Sequence, residues 1–283
     1  MLKIAVQSKG RLHDETMKLL EEANLRFNRG KRTLLLQAEG FPVEILFLRD
    51  DDIPQAVSGG AADIGIVGEN ECLEKGYEVK LLKRLGFGRC RMSLAIPKDE
   101  DYDGVEWFQD KTIATSYPNI LNEYLTNNDV YSDFHLFSGS VEIAPGIGMA
   151  DAIFDIVSSG TTLLNNHLKE VETVLCSEAL LVVTPKLSGE KKDILDELCF
   201  RIEAVVAARG KKYVMMNAPK ESLNKIAVIL PGVKSPTVTP LADENWISIQ
   251  SVIEEESFWE NIGLLKAFGA ENILVLPIEK MIL

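Results

Sequence analysis

The sequence predicts an α/β protein of two lobes followed by a separate C-terminal βαββαβ domain, and three observations carry that prediction. Short apolar, strand-like runs alternate with helix-patterned runs from the first residues to about 210. Within that stretch residues 59–98 and 148–186 echo each other. Each passes from a small-residue helix end through an Asp-bearing apolar run into a helical tract, then through two β-like runs that close on Pro-Lys. Shared α/β grammar also produces such an echo; if it is a repeat, two similar lobes flank a crevice suited to a ligand. After 211 the order becomes strand, helix, strand, strand, helix, strand, the ferredoxin-like plan.

The elements follow in order. "LKIAVQ" reads as a strand, "SKGR" as a turn, and "LHDETMKLLEEANL" as a helix with Leu12, Met17, Leu20 and Ala23 near helical spacing. "TLLLQAE", "PVEILFLR" and "ADIGIVG" are strands bounded by Gly, Pro or charge, and "RDDDIPQAVSGG" is a short helix stopped by glycine. "KTIATSYPNILNEYL" repeats strand, polar turn and helix, with Pro118 near the helix start. Residues 149–156 pattern as an amphipathic helix, since Asp151 and Asp155 stand four apart. "EKKDILDELCFRIEAVVAARG" is a long helix with Leu195, Leu198, Ile202, Val205 and Val206 on one face. The tail divides into "KYVMMNA", "PKESLNKIAVIL", "PTVTPL", "WISIQSVI", "EESFWENIGLLKAFGA" and "NILVLPI". The expected domains are 1–90 with 184–211, 91–183, and 212–283.

Composition narrows the function. The chain has 283 residues, of which 46% are hydrophobic, enough for more than one core. A net charge of −13 disfavours nucleic acid as a partner, because such binding needs an extended basic surface. No run of 18 apolar residues suggests a membrane span, and "MLKIAVQSKGR" reads as a strand rather than a leader, so a cytoplasmic protein is expected. Cys72, Cys90, Cys176 and Cys199 form no C-x-x-C pair, and His13, His135 and His167 are scattered. Both patterns argue against a dedicated metal site or a Ser-His-Asp triad.

A small polyanion could still bind at local cation clusters. Lys9 and Arg11 bracket Gly10 at the end of the first strand, where α/β folds place ligands. Arg49 with Asp50–Asp52 ends another strand, and "RLGFGRCR" adds Arg84, Arg89 and Arg91, some of them partners for the many acids. The stretch "MADAIFDIVSSGTTLLNNHL" breaks into Ser158, Ser159, Gly160, Thr161 and Thr162 before another helix-prone run. A glycine turn with hydroxyls at a helix start suits a phosphate, because free N–H groups converge there. Asp151 and Asp155 upstream could hold sugar hydroxyls. The same residues also make a plain capped helix with two solvated acids.

"IAVQSKGRL", "RDDDIPQAVSGGAADIGIVGEN", "LGFGRCRMSLA", "IATSYPNI", "GSVEIAPGIGMADAIFDIVSSGTTLLNNHL", "KYVMMNAP" and "ILVLPIEKM" together resemble the long form of the ATP phosphoribosyltransferase family, over the whole chain. The resemblance implies a two-lobed, periplasmic-binding-protein-like catalytic core with a ferredoxin-like, ACT-like regulatory domain. It implies the first step of histidine biosynthesis: ATP and 5-phosphoribosyl 1-diphosphate give 1-(5-phosphoribosyl)-ATP and pyrophosphate, with Mg²⁺ carried on phosphates. It further implies that Ser158–Thr162 hold the 5-phosphate, that Asp151 and Asp155 contact ribose, and that Glu142 contacts a substrate. Lys9, Arg11, Arg49, Asp50, Ser116 and Tyr117 become polyphosphate or nucleotide contacts, and no general base is assigned. In the tail it implies feedback by L-histidine through Asn217, Val233, Ser235, Thr237 and Asn272, in a homo-oligomer passing between dimer and hexamer. A two-lobed sensor of small anions, without chemistry, is the alternative.

Overall fold

An apolar run closed by a glycine turn places the first strand at the amino end. In the computed structural model, which describes residues 1–28, 34–158, 160–230, 232 and 235–283, β1 (Leu2–Gln7) carries Leu2, Ile4, Ala5 and Val6 fully buried. Such a continuous apolar run suits a parallel strand covered on both faces. Helix α1 (Arg11–Glu22) packs Met17, Leu19 and Leu20 inward. The chain then forms β2 (Arg26–Phe27), β3 (Leu35–Glu39) and β4 (Val43–Leu48); β4 lies parallel to β1 with Ile4 opposite Ile45. After α2 (Ile53–Ser58), β5 (Ile64–Gly68) pairs parallel to the other edge of β1, and α3 (Glu69–Lys75) and β6 (Lys80–Arg84) follow.

A second sheet is built from β7 (Cys90–Pro97), β8 (Thr112–Thr115), β9 (Asp133–Leu136), β10 (Ala152–Val157) and β11 (Leu168–Ser177), with α4 (Pro118–Asn127) and α5 (Thr161–Asn165) between them. Its core gathers Met92, Leu94, Phe108, Ile113, Leu121 and Phe154. The helix expected at 149–156 is therefore strand β10, which runs antiparallel to β7 and parallel to β8. A separation of four places two residues on one face of a helix and also on one face of a strand. The acid pair could not distinguish the two, and burial of Ala152, Ile153 and Phe154 in consecutive positions decides for the strand.

The echo corresponds to a topological repeat with an exchange. β12 (Ala179–Val183) returns to the first sheet, giving the order β2-β3-β4-β1-β5-β12-β6, while the second sheet runs β11-β7-β10-β8-β9. β7 thus inserts between β10 and β11, as β12 inserts between β5 and β6. The expected lobe boundary at 183 moves accordingly: residues 179–183 belong to the first sheet, because β12 pairs with both β5 and β6.

The chain divides into two compact units, residues 1–197 and 198–283. The second includes the later turns of α6 (Gly189–Ala208), and the Met281 N–H donated to the Ala204 carbonyl (2.8 Å) ties the chain end to that helix. Within this unit β13 (Lys211–Pro219), α7 (Leu223–Ile229), β14 (Thr237–Pro240), β15 (Trp246–Glu254), α8 (Glu255–Ala267) and β16 (Glu271–Pro277) form an antiparallel sheet ordered β14-β15-β13-β16. This is the predicted βαββαβ plan, its core made by Val214, Met216, Ile226, Ile249, Phe258 and Leu265.

Candidate active site

Three parallel strands deliver residues to one place. Gln7 ends β1, Asp50 follows β4 and Gly68 ends β5, and carboxyl ends of such strands are where open α/β sheets bind ligands. All three line a cavity of about 280 Å³ with Arg11, Asn70, Glu71, Gly88, Arg89, Ile156 and Ser158, so both lobes contribute. Gly10, at φ 94°, lets the chain leave β1 and enter α1. Arg11 then spans the lobes: Nε donates to Glu15 Oε1 (3.0 Å) and Nη1 to Ser158 Oγ (3.2 Å).

Glu71 is the buried acid of this cavity. Its Oε1 accepts from the Tyr117 hydroxyl (3.0 Å) and from Asn70 Nδ2 (3.1 Å), and Asn70 is itself held by Ser177. Burial pushes the Glu71 carboxyl up to about 7, and Asp50 adds to the rise, against the lowering effects of Tyr117 and Lys75. Burial likewise raises the Tyr117 phenol, with Glu71 reinforcing it. Three residues on, Glu74 accepts the free N–H groups of Asn119 (3.1 Å) and Ile120 (3.0 Å) at the start of α4. Thus α3 of the first lobe is fastened to α4 of the second at two points.

An adjoining cavity of about 210 Å³ is lined by Glu142, Ile153, Asp155, Ser158, Gly160, Thr162 and Leu163, and shares Ile156 and Ser158 with the first. Burial lifts the Asp155 carboxyl to about 6; the Ile156 N–H donated to Oδ1 (2.8 Å) opposes this and Glu142 adds to it. Gly160 adopts φ 78°, which a side chain resists, and its carbonyl receives the Leu164 N–H (3.2 Å) as α5 begins. Ser159 lies outside the described residues. Glu142, Asp155, Ser158, Gly160 and Thr162 therefore share one cavity, and Thr161 opens the helix beside it.

Asp151, Arg49, Ser116 and Lys9 are not among the residues lining these two cavities. Asp151, at the opposite end of β10, accepts the Thr112 N–H (2.8 Å) and lines a separate depression with Trp107 and Lys111. Four residues of strand put about 13 Å between it and Asp155, and the two acids line different depressions. Arg49 pairs with Asp51 (3.3 Å), the Ser116 hydroxyl donates to the Phe137 carbonyl (2.6 Å), and Lys9 is exposed. Arg84 pairs with Glu69 and Glu178, and Arg91 with Glu170, as expected for structural partners of acids; Arg89 lines the cavity that also holds Glu71. Glu71, Asn70 and Gln7 were not singled out in the sequence, although their place at strand ends is a signal that could have found them. Among the described residues no three His, Cys, Asp or Glu side chains converge on a metal position.

In the C-terminal unit Asn217 lies on central β13, opposite Ser248 and Glu271. Thr237 lies on edge strand β14 with Ser235 before it, and Asn272, at φ 50°, lies on the other edge, β16. Two strands separate those edges, about 14 Å, so one copy does not bring them together. Val233 lies outside the described residues.

This architecture defines a two-lobed, crevice-binding α/β class. The periplasmic sulfonate-binding protein SsuA from Methylobacillus flagellatus shares the fold, at 14% identity and TM-score 0.51 over 71% of this chain and 66% of that one. The profile described as "HisG: ATP phosphoribosyltransferase" matches residues 49–204, and "HisG, C-terminal domain" matches 208–280. An ATP phosphoribosyltransferase from Parabacteroides distasonis is 69% identical and one from Phocaeicola vulgatus 63%, each over the whole of both chains. The solved ATP phosphoribosyl transferase (HisG:HisZ) complex from Thermotoga maritima matches at TM-score 0.61 and 29% identity, covering 72% of this chain and 99% of that one. The chain belongs to the ATP phosphoribosyltransferase (HisG) family, in its long form with the C-terminal domain.

Proposed function

We propose that the chain condenses ATP with 5-phosphoribosyl 1-diphosphate, giving 1-(5-phosphoribosyl)-ATP and pyrophosphate, the first step of L-histidine biosynthesis, in the cytoplasm. The observation that carries this reading beyond family membership is the pair of adjoining cavities meeting at Ile156 and Ser158. One suits the phosphoribosyl group: Ser158, Gly160, Thr161 and Thr162 face the 5-phosphate, and Asp155 with Glu142 accepts from ribose hydroxyls. The other suits ATP, with Arg11 and Arg89 toward its phosphates and Tyr117, Glu71 and Asp50 toward the nucleoside.

Adenine N1 attacks C1 of the donor while the C1–oxygen bond breaks, and pyrophosphate departs with the bonding electron pair. The barrier is lowered chiefly by holding N1 in line with C1 and by neutralising the departing charge. Acids of the donor cavity and guanidinium groups at its margin serve those two ends. Oxygen donors such as Asp155 and Glu142, together with substrate phosphates, fit Mg²⁺, which would supply charge neutralisation on the leaving diphosphate. Inhibition by L-histidine at a site made by two copies of the C-terminal unit accords with Thr237 and Asn272 lying on opposite sheet edges. Assembly between dimer and hexamer would then be linked to that ligand.

The test mixes the protein with ATP, 5-phosphoribosyl 1-diphosphate and Mg²⁺, and follows adduct and pyrophosphate, with and without L-histidine. Equal amounts of both products are expected. Ligand binding with no product would instead establish the sensor.

A further inference from the structure

We infer that Arg91 is a positioning residue for the phosphoribosyl donor, that it acts by fixing the Ser158 carbonyl, and that Glu170 is the group that aims it. This inference rests on the reading of the Asp155 cavity as the donor subsite.

The register of the second sheet sets the arrangement. Arg91 and Ser93 on β7 stand opposite Val157 and Asp155 on β10, and Glu170 on β11 stands opposite Ala95. Alternation puts these side chains on one face of three neighbouring strands. The register of β11 shifts between Glu170 and Glu172, a bulge of the kind that re-aims a side chain. Glu170 meets the Arg91 fork at two points, Nε to Oε1 and Nη2 to Oε2, both at 2.5 Å. Ser93 adds a hydroxyl bond to Oε1 (2.7 Å), and Thr173 a longer one (3.4 Å). The Arg91 bonds hold the Glu170 carboxyl below its ordinary range, against the effect of burial.

That clamp leaves one guanidinium nitrogen, Nη1, which donates to the Ser158 carbonyl at 3.2 Å. Ser158 is the residue at which the donor cavity meets the nucleotide cavity, and its hydroxyl accepts from Arg11. Two arginines, one from each lobe, thus hold the two oxygens of a single residue. A planar guanidinium satisfied bidentately on one edge has a fixed direction on the other. Ser158 then leaves the end of β10 in one orientation, and the cavity is formed before substrate arrives. Lysine cannot replace this, since one ammonium does not span the carboxylate and point at the carbonyl in a fixed plane.

The experiment measures steady-state kinetics and melting temperature for wild type, R91A, R91K, E170Q, E170A and R91A/E170A, together with equilibrium binding of ribose 5-phosphate. R91A is expected to raise KM for 5-phosphoribosyl 1-diphosphate by about tenfold or more, leave KM for ATP within about twofold, and weaken ribose 5-phosphate binding in parallel. E170A and E170Q should move the same constants by less, and the double variant should be no worse than R91A, because Glu170 acts through Arg91. R91K should resemble R91A, and it carries the test if R91A does not fold. Donor KM unchanged in R91A and R91K, a parallel rise in both KM values with a lowered melting temperature, or additive losses in the double variant would each overturn the inference. Wild type that binds ribose 5-phosphate but makes no adduct would sink the proposed reaction instead, and the binding series would still decide the role of Arg91.

Discussion

The two ends of β10 carry the same residue type and reach different fates. Asp155 is half-buried in a cavity shared with Glu142, Gly160 and Thr162, and burial pushes its carboxyl up to about 6. Asp151 is exposed and spends one oxygen on the Thr112 N–H. The difference teaches that a carboxylate's position along its strand decides whether it stands in the crevice. β10 gives way after Val157 to Ser158, which lies on the crevice and is held by two arginines, whereas Asp151 precedes its opposite end.

The largest expected effect is at Asp155. D155A should lower kcat/KM for 5-phosphoribosyl 1-diphosphate by roughly a hundredfold or more, the loss of a buried charged acceptor of substrate hydroxyls. Unchanged donor kinetics would erase the contrast between the two ends. Next comes its pH dependence. A carboxylate that must accept from hydroxyls works ionised, so kcat/KM for the donor should fall as pH drops through about 6, and D155N should lose that limb. The linkage to stability has the opposite sign. With a folded pKa raised from 3.8 to about 6, the folded state binds more protons in that window, so the Asp155 contribution to stability declines as pH rises through it. Thermal melts from pH 4 to 7 should show that decline in wild type and a shallower one in D155N, the remainder carried by Glu71, whose carboxyl burial raises to about 7.

A smaller effect is expected at Gly160. Its φ of 78° lies in the left-handed region and an added Cβ meets nothing within 4 Å, so G160A costs conformational strain alone, about 1 kcal/mol. Melting temperature should fall slightly and donor KM should rise. The smallest is D151A, which removes one exposed hydrogen bond, worth about 0.5–1 kcal/mol of stability, and should leave both KM values unchanged. A donor KM that rises in D151A as it does in D155A would mean that the depression at Asp151 also serves the donor.

Much of the scaffold was legible in the residues. Apolar runs bounded by Gly and Pro located β1, β4, β5 and the βαββαβ tail, and Pro118 marked the start of α4. The echo between 59–98 and 148–186 foreshadowed the two sheets. The exchange of β7 and β12 was not legible, because pairing between strands that lie far apart in the chain, as Ile153 with Ala95 and Val183 with Ile64, leaves no local pattern. Within the candidate site, glycine and hydroxyls flagged 158–162, and Gly10 with Arg11 flagged the first turn. Glu71 was silent for a different reason. An acid in a short helix reads as a solvated face, and only its burial against Tyr117, Asn70 and Asp50 distinguishes it. The Ser116 hydroxyl is bonded to the Phe137 carbonyl, a contact between distant residues that its motif does not show, and Arg49 forms an ion pair with Asp51.

By itself the sequence determined the local elements, their order, and the residue types available for a phosphate and a sugar, because propensity, turn chemistry and periodicity act over a few residues. Only the tertiary structure decided which of those residues share a cavity. It separated Asp151 from Asp155, joined Arg11 to Ser158 across 147 positions, and set Glu170 against Arg91. Those contacts depend on strand register and on which sheet each strand joins, quantities fixed by packing of the whole lobe rather than by any stretch of the chain.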